Sequence, residues 1–420
     1  MSTVALKRRA LIRYGLGQPP TLSDTGVPIV RATNIHRGTI VRKGLIYAQL
    51  HDLPLDRAPL LEPGEVLVVR SGAYTGDSAL VTDEWRGSVP GYDLRVTPSS
   101  GLEPRFLAYT LLSRWGLDQI DLAKGRAAQP HLNAEDLSEV QVLDLPLSSQ
   151  RAIADYLDTE TARIDALIAK KGSMRGLIVS RRMNVLTEAL RGSFLDAGEV
   201  APSPLQWLDV QPLAWPAAKL TFLASLGSGH TPSRQHPEWW TDCTIPWITT
   251  GEVAQVRDDR REVVAETRER ISELGLANSS ATLHPAGTVF LCRTASAGYS
   301  GIMGVDMATS QDFATWTCGP RLLPRFLLLC LRAMRQDLLG RLAMGSTHKT
   351  IYMPDIEALR IPLPSIAEQQ RVLDAVDERL SRLDQVADGL ATQVRLLVEH
   401  RQALITAAVT GELQVPGVAA

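Results

Sequence analysis

Arginine supplies 37 of the 44 basic side chains in this 420-residue chain. Its planar guanidinium suits bidentate contact with guanine or phosphate. Two arginines stand out by context. Arg70, followed by Ser71, closes the run Gly64-x-Val66-x-Val68, and Arg293, followed by Thr294, closes Gly287-x-Val289-x-Leu291. Both should sit at strand ends beside loops. Polar, glycine-containing stretches supply further hydrogen-bonding groups: Tyr14 and Gln18 early in the chain, and Thr231, Ser233 and Arg234 later. Arg126 and Gln129 have counterparts at Thr347, His348 and Lys349. These residue types recognise anionic, hydrogen-bonding surfaces such as duplex DNA.

Nothing comparable points to catalysis. The chain has no Asn-Pro-Pro-aromatic or Asp-Pro-Pro-aromatic string for methyl transfer, and no Gly-Lys-Ser/Thr phosphate loop. Gly227-Ser228-Gly229 lacks the third glycine of a dinucleotide loop. The eight histidines form no H-x-x-x-H pair and the four cysteines no C-x-x-C pair. A metal site and a disulfide scaffold are therefore not expected, and a reducing compartment is. The longest apolar run, Phe326 to Leu331, is too short for a membrane span, so a cytoplasmic protein is expected. A net charge of -2 excludes a uniformly basic nucleic-acid binder but not a locally basic cleft. The tryptophans Trp239, Trp240 and Trp247 are read as core or helix-docking residues.

The chain repeats itself. Pro104-Arg105-Phe106-Leu107 recurs as Pro324-Arg325-Phe326-Leu327, an offset of 220, and the same offset relates Gln150-Arg151 to Gln370-Arg371. Ile164-Asp165 maps to Leu383-Asp384 at an offset of 219. Each copy starts with short β-type runs, continues with a helix opened by proline, and closes with a long helix.

The closing helices must position everything else. Ser365-Ile366-Ala367-Glu368 reads as a capping box. From there Val376, Leu380, Leu383, Ala387, Leu390, Val394, Leu397, Arg401, Leu404 and Ala408 alternate in steps of four and three, and Gly411 ends the helix. The first copy, from Ser149 to Leu190, has a weaker seam. Leu157, Ile164, Ile178 and Val185 lie at multiples of seven, with Ile153, Leu167 and Met174 between them, and Lys171, Gly172 and Gly176 interrupt it. Neither helix can bury its stripe alone. The spacing predicts that the two pair as an antiparallel intramolecular coiled coil. The predicted fold is α+β: two similar mixed α/β domains separated by two long helices. Such a covalent pseudo-dimer would read an asymmetric, split DNA site.

The sequence resembles the specificity (S) subunits of type I restriction-modification systems. The resemblance rests on Arg13-Tyr14-Gly15-Leu16-Gly17-Gln18-Pro19-Pro20 and Val30-Arg31-Ala32-Thr33-Asn34-Ile35 in the first copy. In the second it rests on Gly229-x-Thr231-Pro232-Ser233, then Ile245-Pro246-Trp247, and Leu274-Gly275-Leu276-x-Asn278-Ser279-Ser280. Ile361-Pro362-Leu363-Pro364, Glu368-Gln369-Gln370 and Arg401 to Gly411 complete it. The first copy departs from the pattern in lacking a Trp-Pro start like Trp215-Pro216, and in having Leu145-Pro146-Leu147-Ser148 at the helix entry.

The resemblance implies target recognition domains at 1–147 and 201–363, conserved helical regions at 148–200 and 364–411, and a tail at 412–420. It adds Arg13, Arg31, Asn34 and Thr249 to the DNA-binding candidates. It implies two methyltransferase (modification) subunits and two restriction subunits as partners. This chain would bind no cofactor, with S-adenosylmethionine, ATP and magnesium held by those partners. The rival readings are a self-contained DNA methyltransferase or nuclease with an unrecognised site, and a purely structural coiled-coil adaptor.

Overall fold

A computed structural model describes residues 2–124, 131–343 and 349–418, the side chain of Lys124 aside. Two compact units emerge, Met1–Ser173 with Leu390–Ala420, and Met174–Gly389.

The labelled elements of the first unit are β1 (Thr3–Ala5), β2 (Ala10–Tyr14), β3 (Val66–Val68), β4 (Ser78–Leu80), β5 (Leu94–Pro98), α1 (Pro104–Leu112) and β6 (Gln141–Leu143). The helix α2 starts in this unit and runs from Leu147 to Leu190. The main sheet is antiparallel in the order β2-β5-β3-β4. The central strand β3, Val66-Leu67-Val68, is buried at every residue, as a run that is apolar on both faces requires. A second four-stranded sheet holds Val27–Val30 and Ile46–Ala48. β1 pairs antiparallel with β6, so the domain is entered and left through adjacent strands.

The second unit repeats this plan with β7 (Ala217–Lys219), β8 (Ala224–Ser228), β9 (Val263–Val264), β10 (Val289–Cys292), β11 (Ser300–Met303), β12 (Phe313–Cys318), α3 (Pro324–Ala333), β13 (Arg360–Pro362) and α4 (Ile366–Thr410). Its main sheet runs β8-β12-β10-β11, the same order, with β9 added in parallel at the edge. β7 pairs with β13 as β1 does with β6. The expected α+β fold with two similar mixed domains is thus observed.

Proline opens α1 and α3 because the first helical N–H has no intrahelical partner to lose. The N–H of the preceding residue is met by a glutamine at the start of the long helix. Gln369, fully buried, accepts from Leu323 N–H at 2.8 Å and donates to the Arg321 and Pro364 carbonyls at 2.9 and 3.0 Å. Gln150 accepts from Glu103 N–H at 2.8 Å and donates to the Gly101 and Leu145 carbonyls at 3.1 and 2.8 Å. Gln150 therefore corresponds to Gln369, not to Gln370 as the repeated Gln-Arg pair implies. The register at the helix starts is 219, and the matching dipeptide is out of step by one residue.

The capping box forms as expected, with Ser365 N–H and Oγ donating to Glu368 Oε2 at 2.9 and 2.6 Å. All ten seam positions of α4 are buried or half-buried, while the off-seam Val386, Leu396 and Val398 are exposed. On α2 the anchors Leu157, Ile164 and Val185 are buried and Ile178 is half-buried. Leu167 and Met174, expected between them, are instead exposed. The sheltered positions are Thr161, Ile168, Lys171 and Arg182, so the seam is partly polar and each polar member finds a partner. In the first unit Lys171 donates to Gln393 at 2.5 Å and Arg401 pairs with Asp165 at 3.0 Å, an antiparallel sequence of contacts. In the second unit Arg182 pairs with Asp384. Gly172 and Gly176 do not break α2, and it begins at Leu147, two residues before the expected start.

Residues beyond Leu404 belong to the first unit. Ile405, Ala408, Val409 and Val415 share its core with Phe106, Leu107, Ile153 and Leu157. Gln402 donates to the Leu112 carbonyl at 2.7 Å.

Candidate nucleic-acid interface

In each unit the central strand delivers an arginine to the same place. Arg70 follows β3, and its carbonyl accepts from Leu132 N–H at 2.8 Å, beside the bridge Ser71–His131. Arg293 follows β10, and its carbonyl accepts from Ile351 N–H at 2.8 Å, beside the bridge Thr294–Thr350. The turns that follow also match. Gly72 has φ +88° and Ala295, at the matched position, φ +60°. A non-glycine in this left-handed region costs about 1 kcal/mol, a local cost that the rest of the fold sustains.

The first site is the more elaborate. The Arg70 guanidinium lies between two aromatic rings, 4.6 Å from the centroid of Tyr14 and 4.3 Å from that of Tyr92. It donates to His131 Nε2 at 2.5 Å, which requires a neutral imidazole with Nε2 as acceptor. Tyr14 is held by its hydroxyl, which donates to Glu135 at 3.2 Å and accepts from Ala134 N–H at 3.1 Å. Both rings remain partly open to solvent, Tyr14 at 38% and Tyr92 at 48%. The result is a rigid, cationic, aromatic edge on an exposed strand end. Such an edge suits stacking and bidentate hydrogen bonding to nucleotides.

Asp93, 2% exposed, underlies this edge and accepts the Arg70 N–H at 3.3 Å. Burial pushes its carboxyl up to about 6, against the opposing backbone N–H groups of Arg70 and Ala32 and the Arg70 charge. Raising a carboxyl in the folded state costs stability once the pH exceeds the unfolded value, and the cost grows until the folded value is passed. The cost is full above about pH 6 and disappears below the unfolded value of 3.8. Asp93→Asn, which keeps an acceptor for the N–H groups, should therefore stabilise the protein at pH 7.5 by up to about 3 kcal/mol. The gain should fall to about half at pH 5. Thermal unfolding at the two pH values measures this, and a loss of stability at pH 7.5 would contradict the assignment.

The second site is arranged differently. Arg293 donates through Nε to the Gln311 carbonyl at 3.0 Å, and its N–H to the Asp312 carbonyl at 2.8 Å. Thr231 donates to the Gln311 side chain at 2.7 Å. Arg234 stacks on Trp240 at 3.5 Å and pairs with Glu269 at 3.0 Å. Ser233 is exposed and its hydroxyl accepts from Gln235 N–H at 3.3 Å. Gly229 must be glycine, since a Cβ there would lie 1.8 Å from the Thr309 carbonyl oxygen. Trp247 is buried as expected, whereas Trp239 and Trp240 are half-buried and Trp240 carries an arginine on its face.

The remaining candidates divide. Arg13 on β2 and Gln18 after it are exposed. Arg31 is half-buried and donates to the Gly44 carbonyl at 2.7 Å. Asn34 is fully buried, accepting from Arg31 N–H and donating to the Val41 and Lys43 carbonyls, so it folds its loop and has no edge to offer a base. Thr249 stands at the N-cap position of a short 3₁₀ turn, makes no side-chain capping bond there, and is half-buried. Lys349 is exposed and donates to the Leu339 carbonyl at 2.9 Å. Arg126, Gln129, Thr347 and His348 lie outside the described residues. Tyr92, Asp93 and His131 were not expected here. Only Asp93 had a signal in the sequence, its match to Asp312 at an offset of 219.

Among the described residues no group of three or more histidines, cysteines, aspartates or glutamates is placed to hold a metal ion. Nor is any helix among them long and apolar enough to cross a membrane.

Residues 212–394 match the family model described as the type I restriction modification DNA specificity domain. The chain is 24% identical over 173 residues to the specificity subunit of the type I restriction enzymes EcoR124I and EcoR124II of Escherichia coli, covering 40% of this chain and 41% of that protein. It is 25% identical over 187 residues to the MjaIX specificity subunit of Methanocaldococcus jannaschii, covering 44% and 41%. The matched stretch thus spans about two fifths of the length of either relative. Over almost the whole chain the fold is similar to two solved structures. One comes from work on complex assembly and conformational transition of the type I R-M system, with a TM-score of 0.67 at 19% identity, covering 98% of each chain. The other is the HsdS subunit of Thermoanaerobacter tengcongensis, with a TM-score of 0.54 at 17% identity, covering 98% of this chain and 97% of that one. Residues 212–394 thus match a type I restriction modification DNA specificity domain, and over the full length the chain shares the fold of the two solved structures.

Proposed function

We propose that the chain is the DNA-reading subunit of a type I restriction-modification complex and is not catalytic by itself. Each domain presents one strand-end arginine site to one part of a bipartite sequence. The observation that carries this is the duplicated construction of Arg70 and Arg293, held by equivalent backbone bonds yet surrounded by different side chains. Equal frames with unequal faces suit a site whose two parts differ.

Two methyltransferase subunits, and restriction subunits joined through them, would dock on the long helices. Those partners would hold S-adenosylmethionine, ATP and magnesium, and the complex would work in the cytoplasm. The near-neutral charge supports a reader that binds weakly alone and tightens when its partners close around the duplex. Mapping methylated bases in the host genome, with and without this chain, tests the reading. One bipartite adenine-methylated motif should vanish with the chain. An unchanged pattern would overturn the proposal.

A further inference from the structure

The turn that follows β10 and Arg293 is held by two arginines from other segments. Arg257 donates to Ser296 Oγ at 3.2 Å, and Arg335, just past α3, donates through Nε to the Gly298 carbonyl at 2.9 Å. Both guanidiniums lie over the Tyr299 ring, 5.1 and 4.5 Å from its centroid. Position 298 requires glycine on two counts, a φ of +86° and a Cβ that would meet Arg335 Cγ at 2.9 Å. Ala295 in the same turn keeps its left-handed φ of +60°, and such strain persists only where surrounding contacts over-determine the backbone.

One carboxylate fixes Arg335 in turn. Asp259 accepts from both of its terminal nitrogens, at 2.6 and 2.7 Å. The Asp259 backbone is itself left-handed, with φ +58°. Its carbonyl accepts from Arg332 of α3 at 2.8 Å and from Arg182 of α2 at 3.2 Å. Arg182 pairs onward with Asp384 of α4, and Arg260 donates to Asp388 of α4 at 2.8 Å. Charge-assisted bonds thus run without a break from the turn to both long helices within the second unit. The first copy uses apolar contacts at the matching places. Gly76 N–H donates to the Val69 carbonyl as Gly298 N–H does to that of Cys292, but a Cβ on Gly76 would meet the buried Ile120, at 3.0 Å. Leu112 stands where the second copy has Arg332, at an offset of 220. An apolar prop is commonly as stabilising as a sheltered ion-pair network, so stability alone does not account for the charged one.

We propose that Asp259 is the positioning residue of the second reading turn. Through Arg335 it fixes the turn that follows Arg293, and through Arg182 it ties that turn to the long helices. The inference rests on the DNA-reading role proposed for Arg293 above. Bidentate base contact tolerates little displacement, so a turn held at one fixed place relative to the helices discriminates better than a loose one.

Methylation of a library of randomised sites by the complex reconstituted with its partner subunits tests this. Asp259→Asn keeps the side-chain size and suits the left-handed backbone. Arg335→Met keeps an apolar stem beside Gly298 and removes the guanidinium. Each should relax the sequence requirement in the part of the site read by Arg293 by about 2- to 30-fold, and leave the part read by Arg70 unchanged. Either variant decides the matter if the other fails to fold. Gln369→Ala is the comparison, because it weakens the same unit without touching this network. Assayed below its melting temperature, it should keep full discrimination. Retained discrimination in a folded Asp259→Asn or Arg335→Met variant would overturn the positioning role, and so would equal relaxation by Gln369→Ala. Arg293→Ala, assayed beside them, keeps the two readings apart. If it relaxes one part of the site and Asp259→Asn relaxes none, only the positioning role fails. No effect of Arg293→Ala rejects the reading on which that role rests.

Discussion

Replacing Gln369 with alanine will lower the stability of the second unit by about 3 kcal/mol, because three backbone groups, one buried and two part-buried, lose their partner together. For a unit of this size that is a fall of roughly 6–12 °C in Tm. Pro324 removes one orphan N–H from the start of α3, and Gln369 satisfies the N–H of Leu323 just before it. The same side chain fixes the Arg321 and Pro364 carbonyls, which flank the junction of the domain with its long helix. Gln369→Leu, which restores most of the volume, should recover little of the loss if hydrogen bonding dominates. Gln150→Ala should destabilise the first unit in the same way. Scanning calorimetry of the three variants decides the matter, and a cost below about 1 kcal/mol for Gln369→Ala would refute it.

Arg70→Ala should weaken recognition by about 5- to 150-fold, the range for losing one good bidentate base contact. The loss should relax the sequence requirement in one part of the bipartite site only. Arg293→Ala should relax the other part. Arg70→Lys should not rescue, since an ammonium cannot stack flat between Tyr14 and Tyr92 or present two parallel donors. Methylation of a library of randomised sites by the reconstituted complex reads both halves at once. Equal relaxation of both halves by either substitution would remove the two-reader reading.

The parts of the structure that were legible in the sequence are those governed by period. The α4 seam could be read from its four-three spacing because burial of an apolar stripe admits one face only. The proline-opened helices and the capping box were legible for a similar reason, each being set by one local chemical need. The α2 seam was harder. Thr161, Lys171 and Arg182 hold sheltered positions because side chains distant in sequence, Gln393 and Asp384 among them, complete the hydrogen bonds of the two cations. A polar residue's burial depends on a partner that periodicity does not reveal.

The Arg70 site shows the same boundary. Its arginine was legible from the strand pattern. Tyr92, Asp93 and His131 come from two other segments and meet Arg70 only once the sheet order β2-β5-β3-β4 is known. Asn34 erred the other way: its type suits base reading, but its amide is consumed by its own loop.

The residency of residues 404–418 in the first unit bears on how the protein is made. On the ribosome, residues 1–173 emerge early with Ile153 and Leu157 uncovered, because Ile405, Ala408, Val409 and Val415 have yet to be synthesised. The second unit, Met174–Gly389, contains all its own core and can fold in the meantime. The domain translated first is therefore finished last, and for the whole of that interval it presents an apolar surface to chaperones and to neighbouring chains. A stalled or nicked chain lacking its final segment would carry an intact second reader and a first one with an open core, and it would be the first reader that quality control detects.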